Sequence, residues 1–252
     1  MRILIDIGHP AHVHYFKYLA KHFISSGSKV IFTCREKDNV ITLLKNYNFE
    51  FVSFGVNYSS VLGKIFGLIK FDLMLFLVGL KFKPDILLSA GSVYPAHVSF
   101  LLGKPHFALE DTLNMEAVRL YLAFTKVIFS PIYLQKSVGE KMIRFQGINE
   151  LTYLHPKRYC NTFDPGNLHL KPPYCIIRFI AWQASHDVGQ RGLSLAQKVE
   201  LTQVVSRVMN VYISSEKTLP EELEQFRLKI DPHQVHDALS GATIVISEGA
   251  TM

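Results

Sequence analysis

An apolar run that ends in a tight turn and gives way to apolar residues at helical spacing recurs along this chain. A parallel sheet with helical crossovers accommodates that repeat best. The first copy is Ile3, Leu4, Ile5 and Ile7, then Gly8 and Pro10, then Val13, Phe16, Ala20 and Phe23. Strand 29–33, helix 36–46 and strand 50–54 follow with short connections, which predicts right-handed crossovers and helices on both faces of the sheet. Later copies are strand 85–89 with Ala90-Gly91-Ser92 and helix 94–102, then strand 105–109, which delivers Glu110, Asp111 and Thr112. Helix 115–124, strand 127–130, a short helix near Leu134 and strand 142–145 complete a first Rossmann-like domain over 1–154.

Residues 155–173, HPKRYCNTFDPGNLHLKPP, are rich in proline and read as a linker. Beyond them the pattern resumes with strand 174–180, helix 194–208, strand 211–214, helix 232–240 and strand 243–246. The chain stops at Met252, where a helix is due, so the second Rossmann-like domain, 174–252, is expected to be incomplete and the chain a fragment. The fold class is therefore α/β, with two parallel-sheet domains.

The 252 residues, 48% hydrophobic and 19% charged, suffice for a large core. A net charge of +6 favours anionic partners, yet no basic run with interleaved aromatics points to nucleic acid. Cys34, Cys160 and Cys175 are far apart and lack CxxC spacing, which suits packing in a reducing compartment. Asp6 interrupts the first apolar run, so the amino terminus reads as a strand, and a cytoplasmic protein is expected.

Segment 61–82 is apolar almost all round, but Lys64, Lys70 and Asp72 break it too often for a membrane span. Two readings stand: a helix buried against the sheet, which is preferred, or one on a membrane surface with Lys64, Lys70, Lys81 and Lys83 at the headgroups, contact running over 61–83.

Chemistry-bearing residues gather where strands end. The first turn holds Gly8, His9, His12 and His14 beside a helix amino terminus, whose free N–H groups and dipole favour anions and a neutral imidazole able to exchange a proton near pH 7. The plainer reading makes His12 a helix cap and leaves His14 solvated. Gly91 and Ser92 form a small-residue turn, Glu110 is a candidate acid or base, and Asp111 or Thr112 serves as a cap. Within a strand an unpaired Arg178 guanidinium would be costly, and a phosphate gripped in bidentate fashion is one partner it could take. The loop 181–189, AWQASHDVG, offers Ser185, His186 and Gly189, while the turn Ser247, Glu248, Gly249, Ala250 and Thr251 has the small residues of a phosphate nest. No P-loop lysine motif or GxGxxG is present. A metal site from His9, His12, His14 and Asp111 has only unspecific spacing, and none is assigned.

The Gly8-His9-Pro10-Ala11-His12-Val13 turn, the Glu110 edge and the 247–251 turn resemble, in order, three loops of the MurG-type N-acetylglucosaminyltransferases, which have the glycosyltransferase B fold. The loop 184–189 is similar to one in UDP-N-acetylglucosamine 2-epimerases. The IDIGHPAHVH opening and the WQASHDVG loop resemble the domain of unknown function 354 family across the whole chain. The resemblance implies His12 near the reacting sugar, Glu110 as acceptor-side carboxylate and His186 on the donor side. Ser247, Gly249, Ala250 and Thr251 would hold the nucleotide diphosphate. The carboxylate that binds the ribose in these folds would fall past Met252.

These observations together suggest a glycosyltransferase of glycan or cell-surface polysaccharide synthesis. A nucleotide sugar would be its substrate, with no cofactor, and a sugar or lipid-linked acceptor would receive the glycosyl group. The alternatives are an epimerase using Glu110 and His186, or a sugar-nucleotide binding protein without turnover.

Overall fold

A computed structural model of the chain describes residues 1–58, 60–110, 112–159, 164–180 and 192–249. Two compact units succeed one another, Met1–Cys160 and Asn161–Met252. In the first, seven parallel strands are β1 (Arg2–Ile7), β2 (Lys29–Glu36), β3 (Phe51–Val56), β4 (Ile86–Ala90), β5 (His106–Leu109), β6 (Val127–Pro131) and β7 (Met142–Phe145). They lie in the order 3-2-1-4-5-6-7. The connections hold α1 (Pro10–Ser25), α2 (Val40–Asn46), α3 (Val61–Phe82), α4 (Val93–Leu101) and α5 (Met115–Tyr121), and α6 (Leu151–Leu154) follows β7. The order reverses between β1 and β4, the switch point at which open α/β sheets bind ligands beyond their strands' carboxyl ends.

Side-chain alternation along β1 divides the core. Ile3, Ile5 and Ile7 pack with α1, α2 and Tyr153 of α6 on one face. Leu4, with Ile31 and Leu87, meets Phe71 and Leu75 of α3 and Val98 of α4 on the other. Each such side chain contributes roughly 1.5–3 kcal/mol when fully buried.

Several expectations need correction. The first helix after β2 spans only α2, because β2 continues to Glu36; no helix forms near Leu134. His14 is not solvated. It sits buried against Tyr47 and Tyr153, because its helix face meets α2 and α6.

The preferred reading of α3 also fails in part. Gly67, Phe71, Leu75 and Gly79, four residues apart, form its only buried stripe among the described side chains. Leu62, Ile65, Phe66, Ile69, Leu73, Leu77 and Leu80 are exposed, with Leu62 at 81%. One sheet face cannot cover a helix that is apolar all round. Among the described residues, no helix is long and apolar enough to cross a membrane.

Among the described residues, the second unit has three parallel strands, β8 (Tyr174–Phe179), β9 (Asn210–Ser215) and β10 (Ile244–Ser247), in the order β10-β8-β9. Helices α7 (Leu195–Ser206), α8 (Glu221–Glu224) and α9 (Val235–Ser240) accompany them. Ser194 and Gln197 close a capping box at the start of α7. Leu168 and Leu170, within the stretch expected to be linker, pack on Tyr174, Ile176 and Ala238 in this unit's core.

Candidate functional site

The switch point of the first unit is held by a buried ion. Asp6 faces α3 and α4, in register with Thr33 on β2 and Ser89 on β4. Its Oδ1 accepts from Thr33 Oγ1 at 2.8 Å and from Arg35 Nη1 at 2.6 Å. Its Oδ2 accepts from the same Nη1 at 2.7 Å and from Ser92 Oγ at 2.6 Å. All four residues are buried, and the Arg35 guanidinium lies 4.9 Å from the centre of the Tyr94 ring. A carboxylate taken out of water is tolerable only when its lone pairs are met in this way. The network ties the carboxyl ends of β1 and β2 to the start of α4. It commits the Ser92 hydroxyl, expected to meet substrate, to Asp6.

The turn after β1 differs from expectation in its amides. His9 is the cap of α1: its Nδ1 accepts from Ala11 N at 3.2 Å, its carbonyl accepts from His12 N at 3.0 Å, and Pro10 has no N–H. The early amides of α1 are thus largely spoken for, and the capping role falls to His9, not His12. The Nδ1 of His12 accepts from Gly8 N at 3.4 Å. A neutral ring in that pose carries its proton on Nε2 and is a donor. Burial, then the charges of His9, Arg35 and Lys37, lower the His12 pKa to about 3. The imidazole is therefore neutral at pH 7, chiefly by desolvation, and too weak a base for proton exchange there. A Cβ on Gly8 would come within 3.0 Å of Arg35 Nη2, so the network and the turn are in direct contact.

Glu110 follows β5 and is 5% exposed. Its amide donates to Phe129 O at 2.8 Å, its carbonyl accepts from Asn149 Nδ2 at 3.2 Å, and the Tyr121 hydroxyl donates to its Oε1. Gly91, at φ +58°, lies against the carboxylate: a Cβ there would stand 2.8 Å from Oε1. Glycine serves twice at this position, for the left-handed backbone and for the close approach. Tyr121 is set by α5, which Asn114 caps through Glu116 N; the expected cap, Thr112, is not used, and Asp111 lies outside the described residues. Burial and the carboxylate hold the Tyr121 hydroxyl well above its ordinary pKa, so it remains a donor.

Behind it runs a buried relay, Ser89 Oγ to His106 Nε2 at 2.9 Å and His106 Nδ1 to Thr125 Oγ1 at 3.0 Å. Thr125 Oγ1 in turn donates to the Tyr121 carbonyl. Burial lowers the His106 pKa to about 3. Gly8, His9, His12, Gly91, Ser92 and Glu110 thus share one edge, at the ends of the adjacent strands β1, β4 and β5. No side chain caps α4, whose start lies on that edge.

In the second unit Arg178 and Ser247 are register partners at the corresponding edge. Arg178 donates to Ser214 Oγ at 3.0 Å and to Glu216 Oε1 at 2.7 Å, while its buried Nε has no hydrogen-bond partner among the described residues. Glu248 accepts from Ile180 N at 2.9 Å and from Leu193 N at 2.7 Å, with Lys198 Nζ at 3.4 Å. Its carboxylate ties Ile180 and Leu193 to the β10 turn. Ser247 Oγ exchanges hydrogen bonds with the Gly249 backbone. Ser185, His186, Gly189, Ala250 and Thr251 lie outside the described residues.

Sequence reading missed Asp6, Arg35, Tyr121 and the His106 relay. Their signal is faint: a lone charge inside each of two consecutive strand patterns, and a histidine opening a third.

Two parallel-sheet units of this kind define the class. The chain aligns over 99% of its length with a UDP-GlcNAc 2-epimerase from Neisseria meningitidis bound to UDP-GlcNAc, at 13% identity and TM-score 0.63, covering 78% of that chain. With Acinetobacter baumannii MurG the figures are 100%, 13%, 0.52 and 69%. The fold is that of the glycosyltransferase B-like proteins, which includes epimerases and glycosyltransferases.

Within that class, residues 1–168 match the family described as "Protein of unknown function (DUF354)", and the chain belongs to it. The match stops short of the WQASHDVG loop. An uncharacterized protein of Methanocaldococcus jannaschii is 27% identical over 161 residues, 62% of this chain. The chain spans about half, 47%, of the length of that curated relative.

Proposed function

We propose that the chain acts on a nucleotide-activated sugar, transferring the glycosyl group with inversion to a hydroxyl of a sugar or lipid-linked acceptor in glycan or cell-surface polysaccharide synthesis. The observation that carries this reading is the Glu110 carboxylate, fixed by Tyr121 and pressed against Gly91 on the same sheet edge as the His12 donor.

Glu110 takes the proton of the acceptor hydroxyl as that oxygen bonds to the anomeric carbon. The bond from that carbon to the diphosphate breaks, and its electron pair leaves on the phosphate oxygen. His12, neutral and protonated at Nε2, stabilises a substrate oxygen by donation and is not the base. The uncapped start of α4 supplies amide dipoles for the departing charge. His186, Ala250 and Thr251 are proposed on the donor side from the resemblance alone.

A proton NMR time course on the chain tests this. With UDP-N-acetylglucosamine alone the reading expects at most slow hydrolysis; with a hydroxyl acceptor it expects transfer that Glu110→Gln lowers about a thousandfold or more. Appearance of the C2 epimer without acceptor would make the protein an isomerase. Ligand binding without turnover, unchanged in Glu110→Gln, would make it a binding protein.

A further inference from the structure

We infer that the outer face of α3 is a docking surface for anionic lipid, holding the first unit against a membrane lengthwise. Leu62, Ile65, Phe66, Ile69, Leu73, Leu77 and Leu80 are each about half exposed or more, and their spacing draws one uninterrupted stripe. At 1.5 Å per residue it is about 27 Å long and covers roughly a third of the helix circumference. No charged residue lies within it. At the lower end of α4, close to α3 through Leu102 and Gly79, Phe100 and Leu101 add 67% and 62% exposed apolar side chains. Patches of this extent on a soluble surface mark a contact.

Charge decides which contact. From residue 55 to 109 the chain carries five lysines, at 64, 70, 81, 83 and 104, against two acids, Asp72 and Asp85. Both acids have partners: Asp72 bonds His97 Nδ1 at 2.8 Å, and Asp85 accepts from the Arg2 amide at 2.7 Å. Lys64, Lys81, Lys83 and Lys104 are exposed. An apolar strip with a basic collar matches the acyl boundary and phosphate headgroups of an anionic leaflet. A second copy of this chain would instead set one lysine collar against another. The helix is not a membrane span, so the contact is superficial.

This inference goes beyond the nucleotide-sugar reading and stands without it, since the test needs no nucleotide. The full chain is floated with phosphatidylcholine vesicles, with and without about one third phosphatidylglycerol. Flotation with the anionic vesicles only is expected, and added salt should weaken it. Lys81→Gln with Lys83→Gln should lower partitioning about 25-fold, roughly fivefold for each lysine. Ile69→Gln with Leu73→Gln should lower it more than tenfold at unchanged melting temperature, because both side chains point away from the core. Failure to float on any vesicle overturns the inference, as does equal flotation on neutral ones. So does a concentration-dependent dimer that Ile69→Gln with Leu73→Gln dissociates, which would give the face to a second copy.

Discussion

At the scale of single residues, the account rests on how Glu110 is held. Tyr121 donates to the carboxylate and so fixes its orientation. Tyr121→Phe should therefore lower the transfer rate about tenfold or more while leaving the affinity for the nucleotide sugar unchanged. A purely structural role for Tyr121 would lower the melting temperature and the affinity together with the rate.

His106 yields a second prediction. Its folded-state pKa of about 3 lies below the ordinary 6.5, so the unfolded chain binds the extra proton as pH falls. Stability is complete above about 6.5 and is lost progressively from there toward 3, by up to ~1.4 kcal/mol per pH unit for this one group. Urea unfolding at pH 7.5 and pH 5 should show the loss, and His106→Gln should flatten it. Parallel acid limbs in the two proteins would contradict the assignment.

At the scale of elements, α3 separates burial from hydrophobicity. Leu75 is fully buried and Leu73 is 57% exposed, although both are leucines two residues apart. Leu75→Ala should cost about 2–5 kcal/mol of unfolding free energy, and Leu73→Ala should stay within ~0.5 kcal/mol.

The elements were largely legible in the sequence, because the switch from short apolar runs to helical spacing is local chemistry. Which face of α3 meets the sheet was not, since a helix apolar on every side carries no directional mark. The turns bearing Gly8, Gly91 and Glu110 could be found from strand ends. The partners of their side chains could not: Arg35 reaches Asp6 across 29 residues, and Glu216 reaches Arg178 across 38, by strand register. The capping role weighed for His12 moved to His9 because Pro10 sets where α1 begins.

At the scale of the whole molecule, each of the two parallel-sheet units reverses its strand order, around β1 in one and β8 in the other, and such reversals are where open α/β sheets bind ligands. The buried Asp6–Arg35 pair fixes the first edge. The Glu248 carboxylate fixes the second by tying the β10 turn to Ile180 and Leu193. The most direct test of the central claim is the melting temperature of the chain titrated with a panel of nucleotide sugars, UDP-N-acetylglucosamine among them. A ligand at a hundred times its dissociation constant adds about 2.7 kcal/mol, a rise of roughly 5–10 °C. Such a rise with at least one nucleotide sugar, and none with the corresponding free sugar, is predicted. A folded chain whose melting temperature moves with no member of the panel would contradict the account.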